Sequence, residues 1–108
     1  MKVVEKDRLV DGMLHEELER CWGMVSSLEQ EIAHLPKGSL HVRKKQYGEK
    51  RYQYYYLKYR EGEKSVSHHV PVRQLEALKK DLDKRSSYQK ELKAYKARIK
   101  YLEKILGG

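Results

Sequence analysis

Cysteine occurs once in this chain, at Cys21, so no internal disulfide can form and packing alone must hold the fold. A lone thiol makes an intracellular, reducing compartment the default expectation, and the cytoplasm is the setting we expect. Proline occurs twice and glycine seven times, with no low-complexity run, which argues against disorder. No apolar stretch approaches the roughly 18 residues a membrane span requires. The opening MKVVEKDRLVDG scatters charges where a signal peptide would carry an apolar segment, so neither a leader nor membrane insertion is expected. Reactive motifs are missing too. There is no CxxC, HExxH or HxH spacing, no phosphate-binding glycine loop and no nucleotide-binding glycine motif. Asp81 and Asp83 lie two apart on a predicted helix and face different ways. We therefore expect a non-enzymatic protein with no metal, no cofactor and no catalytic residues.

What is present is charge arranged on long helices. Charged residues make up 37% of the 108 residues, against 39% hydrophobic, and the net charge is +8. That balance suits solvated helices and one modest core, a single domain over residues 1–108. Leu14, Leu18, Cys21, Val25, Leu28, Ile32 and Leu35 follow one another at alternating spacings of 4 and 3, a heptad seam. They predict a helix over about residues 8–35, capped by Asp7 or Asp11 and stopped by Pro36 and Gly38. Gly23 inside it costs about 1 kcal/mol against alanine without breaking the pattern. Cys21 lies on the seam, where a buried small hydrophobe is expected. Trp22 beside it is expected to pack under a sheet or at a dimer contact.

A second helix is predicted over about residues 72–106, with Pro71 suited to its first position. Leu75, Leu78 and Leu82 open its seam, and Leu92, Tyr95, Ile99, Leu102 and Leu106 close it. The phase slips between Arg85 and Gln89, with Tyr88 bridging, which reads as a stammer and not a domain boundary. Gly107 and Gly108 end the chain.

Between the helices the period changes to two. Ser39–Lys45, Lys50–Arg60 and Lys64–Val70 read as three strands, joined by Gln46-Tyr47-Gly48-Glu49 and Glu61-Gly62-Glu63. The expected sheet is an antiparallel meander over about residues 39–70. Alternation gives one face Leu40, Val42, Tyr55, Leu57, Tyr59, Val66 and Val70, which needs the helices as a cover. The other face takes His41, Arg43, Lys45, Tyr54, Tyr56, Lys58, Arg60, Ser65, Ser67 and His69. His68 and His69 then point opposite ways, which argues against a metal site. A bulge in the second strand would exchange some of these positions.

The fold class expected is α+β: a long helix, a three-stranded antiparallel meander and a long helix. The helices are expected to pack as an antiparallel coiled-coil-like pair. Residues 1–37 hold five Lys/Arg against eight Asp/Glu, and residues 72–108 hold eleven against five, so an acidic helix can lie along a basic one. Two long seams and a sheet face exceed what one small chain can hide, so a homodimer is expected.

Residues 38–71 hold eight Lys/Arg against three Asp/Glu and six of the nine tyrosines. Cations neutralise phosphates and exposed rings stack on bases, so the expected function is binding of DNA or RNA. The expected interface is Arg43, Lys45, Tyr54, Tyr56, Lys58 and Arg60. The alternative is a homo-oligomeric protein-interaction or scaffold module, in which strand tyrosines only pack and charges only solvate. Its protein partner is not named by the sequence. The cations of the second helix, such as Lys79, Lys80, Lys100 and Lys104, spread around the helix and form no stripe.

Two likenesses rest on Gly38-Ser39-Leu40 and on the run from Tyr54 to Lys64, YYYLKYREGEK. Across roughly residues 36–85 the chain resembles short microbial helix–sheet–helix proteins that pair a glycine-serine strand with a tyrosine-rich hairpin. That likeness implies the fold and no particular activity. More weakly, the hairpin order is similar to the arm-type DNA-binding domain of tyrosine recombinases, a three-stranded sheet with a helix, which implies DNA binding. This chain differs in the long helix ahead of its sheet, and no residue is assigned a role from either likeness.

Overall fold

The computed structural model describes residues 8–107. The order of elements is α1 (Arg8–Ala33), β1 (Ser39–Tyr47), β2 (Lys50–Glu61), β3 (Lys64–Val70) and α2 (Val72–Leu106). The α+β architecture is the expected one: in chain order a long helix, a three-stranded antiparallel sheet of order β1-β2-β3 and a second long helix. The chain divides into two compact units. One joins the residues up to His34 with those from Ser87 onward, and the other is Leu35–Ser86.

In the first unit, the 4–3 seam of α1 is the buried edge. Leu18, Cys21, Leu28 and Ile32 are buried, and Leu14 and Val25 are half-buried. Leu18 and Cys21 form a core with Leu102, and Leu14, Tyr95, Ile99 and Leu106 pack around it. The helices run antiparallel, since Glu17 meets Arg98 and, three residues on, Arg20 lies over Tyr95. Among the described residues one ion pair joins the two helices, Glu17 to Arg98 at 3.1 Å. Exposed pairs contribute little, so the apolar seam carries the pairing. Cys21 is fully buried, and burial pushes its thiol up from the ordinary value.

Several boundaries differ from expectation for local reasons. Helix α1 stops at Ala33, ahead of Leu35, because the residue before Pro36 is sterically driven out of the helical region. Asp11 lies in the first turn and favours the helix dipole, but it does not cap. Asp7 and Gly108 lie outside the described residues. Pro71 sits one residue ahead of α2, and its carbonyl accepts the Gln74 N–H at 2.9 Å. The Gly107 N–H returns to the Glu103 carbonyl at 2.7 Å and closes that helix. Trp22 is half exposed, so within this chain it is no core residue.

Helix α2 runs unbroken through the phase slip. Arg85 and Tyr88 are both half-buried there, so the buried edge passes Leu82, Arg85 and Tyr88 at two successive spacings of three. Two threes in succession are a stammer. An arginine can take that position because its Nη1 donates to the Leu35 carbonyl at 3.0 Å, a group just past the end of α1 that has no helical partner.

Glu17 offers a pH test of the ion pairs on the flank of α1, chiefly the one with Arg20 in the same helix. Hydrogen bonding to the Arg20 guanidinium holds its carboxyl down at about 2, with Arg98 adding to the effect. A depressed carboxylate contributes stability above its unfolded value of 4.5 and loses it as pH falls toward 2. The thermal midpoint of wild type minus that of Glu17→Gln is therefore expected to be constant above pH ~5 and to shrink below ~4.5. The difference should be modest and should fade in high salt, because its partners Arg20 and Arg98 are exposed. A difference independent of pH would contradict this account.

Candidate nucleic-acid interface

The sheet is set by two tight turns and an uninterrupted register. Tyr47 pairs with Lys50 and Glu61 with Lys64, so each hairpin loop has two residues, Gly48-Glu49 and Gly62-Glu63. Gly48 and Gly62 take φ of 61° and 64°, and among the described residues only glycines have positive φ. A glycine with positive φ in first place is the two-residue turn whose twist matches that of the strands. Both links are thus shorter than expected: Gln46 and Tyr47 belong to β1, and Glu61 belongs to β2. Pairing runs without a bulge from Ser39↔Lys58 to Tyr47↔Lys50, and from Tyr55↔Val70 to Glu61↔Lys64. The expected faces are therefore kept.

Partners directly across a ladder share a face. Leu40↔Leu57, Val42↔Tyr55↔Val70 and Tyr59↔Val66 assemble the apolar face. Val70 is buried, as is Leu75 in the part of α2 belonging to this unit. Val42 keeps half its surface exposed. On this face the Tyr59 ring stacks on His68 at 5.6 Å and hydrogen-bonds to it, and Lys37 lies over the same ring.

The opposite face is built from Arg43↔Tyr54, Lys45↔Tyr52, His41↔Tyr56↔His69, Ser39↔Lys58↔Ser67 and Arg60↔Ser65. All six expected interface residues lie on it. Arg43, Lys45, Lys58 and Arg60 are exposed, while Tyr54 and Tyr56 are half-buried. They do not form one cluster. Arg43 and Lys45 stand over the aromatic end, and Lys58 and Arg60 continue along β2 past it. Arg43 lies 5.7 Å over the ring of Tyr56, and Lys45 lies 5.4 Å over that of Tyr54. Both contacts are diagonal, one step off the direct partner, which is within reach of long side chains.

The aromatic row is longer than expected. Tyr47 meets Tyr52 edge-on at 6.0 Å, Tyr52 meets Tyr54 at 6.4 Å, and His69 contacts both Tyr54 at 6.2 Å and Tyr56 at 5.7 Å. Tyr52 was legible from its even position in β2, shared with Tyr54 and Tyr56. Tyr47 joins the row because the first turn has two residues and not four. Lys50 also falls on this face, opposite Tyr47. No Asp or Glu does: Glu61 takes the apolar side, and Glu49 and Glu63 sit in the turns.

No protein-family model, curated protein or solved structure matches this chain.

Among the described residues no three His, Cys, Asp or Glu side chains gather where they could hold a metal ion. No helix there is long and apolar enough to cross a membrane. What the polar face offers is five exposed cations beside four tyrosines, two exposed and two half-buried, with no compensating acid.

Proposed function

We propose that this protein binds nucleic acid, without catalysis, through the basic, tyrosine-rich face of its sheet. One observation carries the reading. The face gathers Arg43, Lys45, Lys50, Lys58 and Arg60 with no carboxylate among them, and two of those cations rest on tyrosine rings. Cation–π contact holds long side chains in place, so less freedom remains to be lost when a phosphate arrives. Each phosphate neutralised releases counterions, which drives binding and makes it sensitive to salt. A cytoplasmic setting fits this reading, since it keeps a lone thiol such as Cys21 reduced.

The test is fluorescence anisotropy with a mixed-sequence labelled oligonucleotide, single-stranded and duplex, across a salt series. Binding is expected near ~0.1 M salt and should weaken steeply as salt rises. No binding of either form under those conditions would reject the reading and favour a protein-interaction module.

The exposed apolar side chains of the first unit motivate a companion proposal. Leu9, Met13, Trp22 and Tyr101 are 74%, 59%, 50% and 65% exposed on the two helices. We propose that these helices pair with a second copy to make a homodimer. Sedimentation equilibrium is expected to give twice 12.9 kDa at micromolar concentration, and a mass of 12.9 kDa independent of concentration would reject it.

A further inference from the structure

Strand β3 pairs with β2 only from Tyr55 to Glu61, because Pro71 ends it at Val70. Strands β1 and β2 pair on without it, from Arg43↔Tyr54 to Tyr47↔Lys50. The sheet therefore continues as a two-stranded ribbon closed by Gly48-Glu49. Every residue from His41 to Gln53 is exposed. The ribbon holds Arg43, Lys44, Lys45, Lys50 and Arg51 against Glu49 alone, and among the described residues none of these cations is in a salt bridge. Alternation puts Arg43, Lys45 and Lys50 on one side, and Lys44 and Arg51 on the other.

We infer that this ribbon enters the major groove of duplex nucleic acid, with DNA as the ligand. This rests on the nucleic-acid reading above and names the form recognised. A flat stacking platform for single strands needs cations on one side. A groove has two phosphate walls, and a ribbon charged on both sides meets both. The ribbon's backbone is narrow enough, since its two strands lie about 4.8 Å apart. Five residues of β2 without a β3 partner extend about 17 Å, at ~3.4 Å each. The major groove is roughly 12 Å wide and 8.5 Å deep, and it admits a two-stranded ribbon. The tyrosines fit the same account. The rings of Tyr54 and Tyr56 are each covered by a cation, and Tyr47, Tyr52 and Tyr54 brace one another. Isolated hairpins are marginally stable, so such bracing is what a projecting ribbon requires.

Two measurements on the full chain test this. In anisotropy with a mixed-sequence DNA duplex and its separate strands, the duplex should bind more tightly. Lys44→Ala with Arg51→Ala, on the side away from the tyrosines, should lower the duplex salt slope by roughly 1.8, at ~0.9 for each phosphate left unneutralised. Dimethyl sulfate footprinting should show protection of guanine N7, which lies in the major groove, and not of adenine N3, which lies in the minor groove. Equal or tighter binding of single strands would overturn the inference while leaving nucleic-acid binding intact. So would a slope unchanged by the double substitution, or a footprint without guanine protection. Failure to bind either form would remove both. Circular dichroism of the variant guards against misreading an unfolded chain as a weakened interface.

Discussion

Leu102→Ala is expected to destabilise the protein by about 2–5 kcal/mol, the usual range for emptying a well-packed leucine site. Leu102 is 4% exposed and belongs to the core formed with Leu18 and Cys21. Few side chains in this chain are buried, so neighbours have little material with which to fill the cavity. Total stabilities of small domains are about 5–15 kcal/mol, and a loss of this size takes a large share. Urea unfolding followed by circular dichroism at the helical band would measure it. Lys93→Ala, on the exposed surface of the same helix, should change stability by no more than about 0.5 kcal/mol. Similar losses from both would show that the seam is not where the stability resides.

Gly38→Ala is expected to have the next largest effect. Gly38 has φ of 122°, a backbone region that side-chain-bearing residues rarely enter. A Cβ there would also collide with the Lys58 carbonyl oxygen and press on the Cβ of Tyr59. The chain thus enters the sheet through a gap that only a hydrogen atom fits. Backbone strain alone costs roughly 1–3 kcal/mol, and the collision with main chain adds to it. Gly48→Ala is the matched comparison. Its φ is 61° but nothing lies within 4 Å of the added carbon, so it meets strain without collision. Urea unfolding should rank Gly38→Ala as the more damaging. The reverse order would mean that the close approach to β2 is unimportant.

Much of this was legible in the sequence because apolar spacing reports burial directly. Each seam position of α1 from Leu14 to Ile32 is buried or half-buried. The strand faces were equally legible, because a ladder without bulges preserves parity. What escaped was the exception to spacing. Arg85 holds a seam position in α2, and no hydropathy pattern marks an arginine whose head reaches a carbonyl fifty residues away. The first turn is less legible, because the polar run Lys44-Lys45-Gln46 hides the strand alternation that continues to Tyr47. Taking Gly48-Glu49 as a complete turn would have extended β1 and brought Tyr47 onto the polar face. The projecting ribbon needed both that correction and the stop at Pro71, each readable but not joined without the register.

The central claim is that the polar face of the sheet binds the phosphates. Its most direct test compares two double variants of equal charge. Arg43→Ala with Lys58→Ala removes two cations from that face, and Lys100→Ala with Lys104→Ala removes two from α2. Log affinity is plotted against log salt concentration for each, by anisotropy on the same oligonucleotide. The sheet variant should bind more weakly and its slope should fall by roughly 1.4–1.8, at ~0.7–0.9 for each phosphate left unneutralised. The helix variant should keep a slope close to that of wild type. Equal losses of affinity and slope from the two would contradict the account, because attraction would then follow total charge and not the sheet.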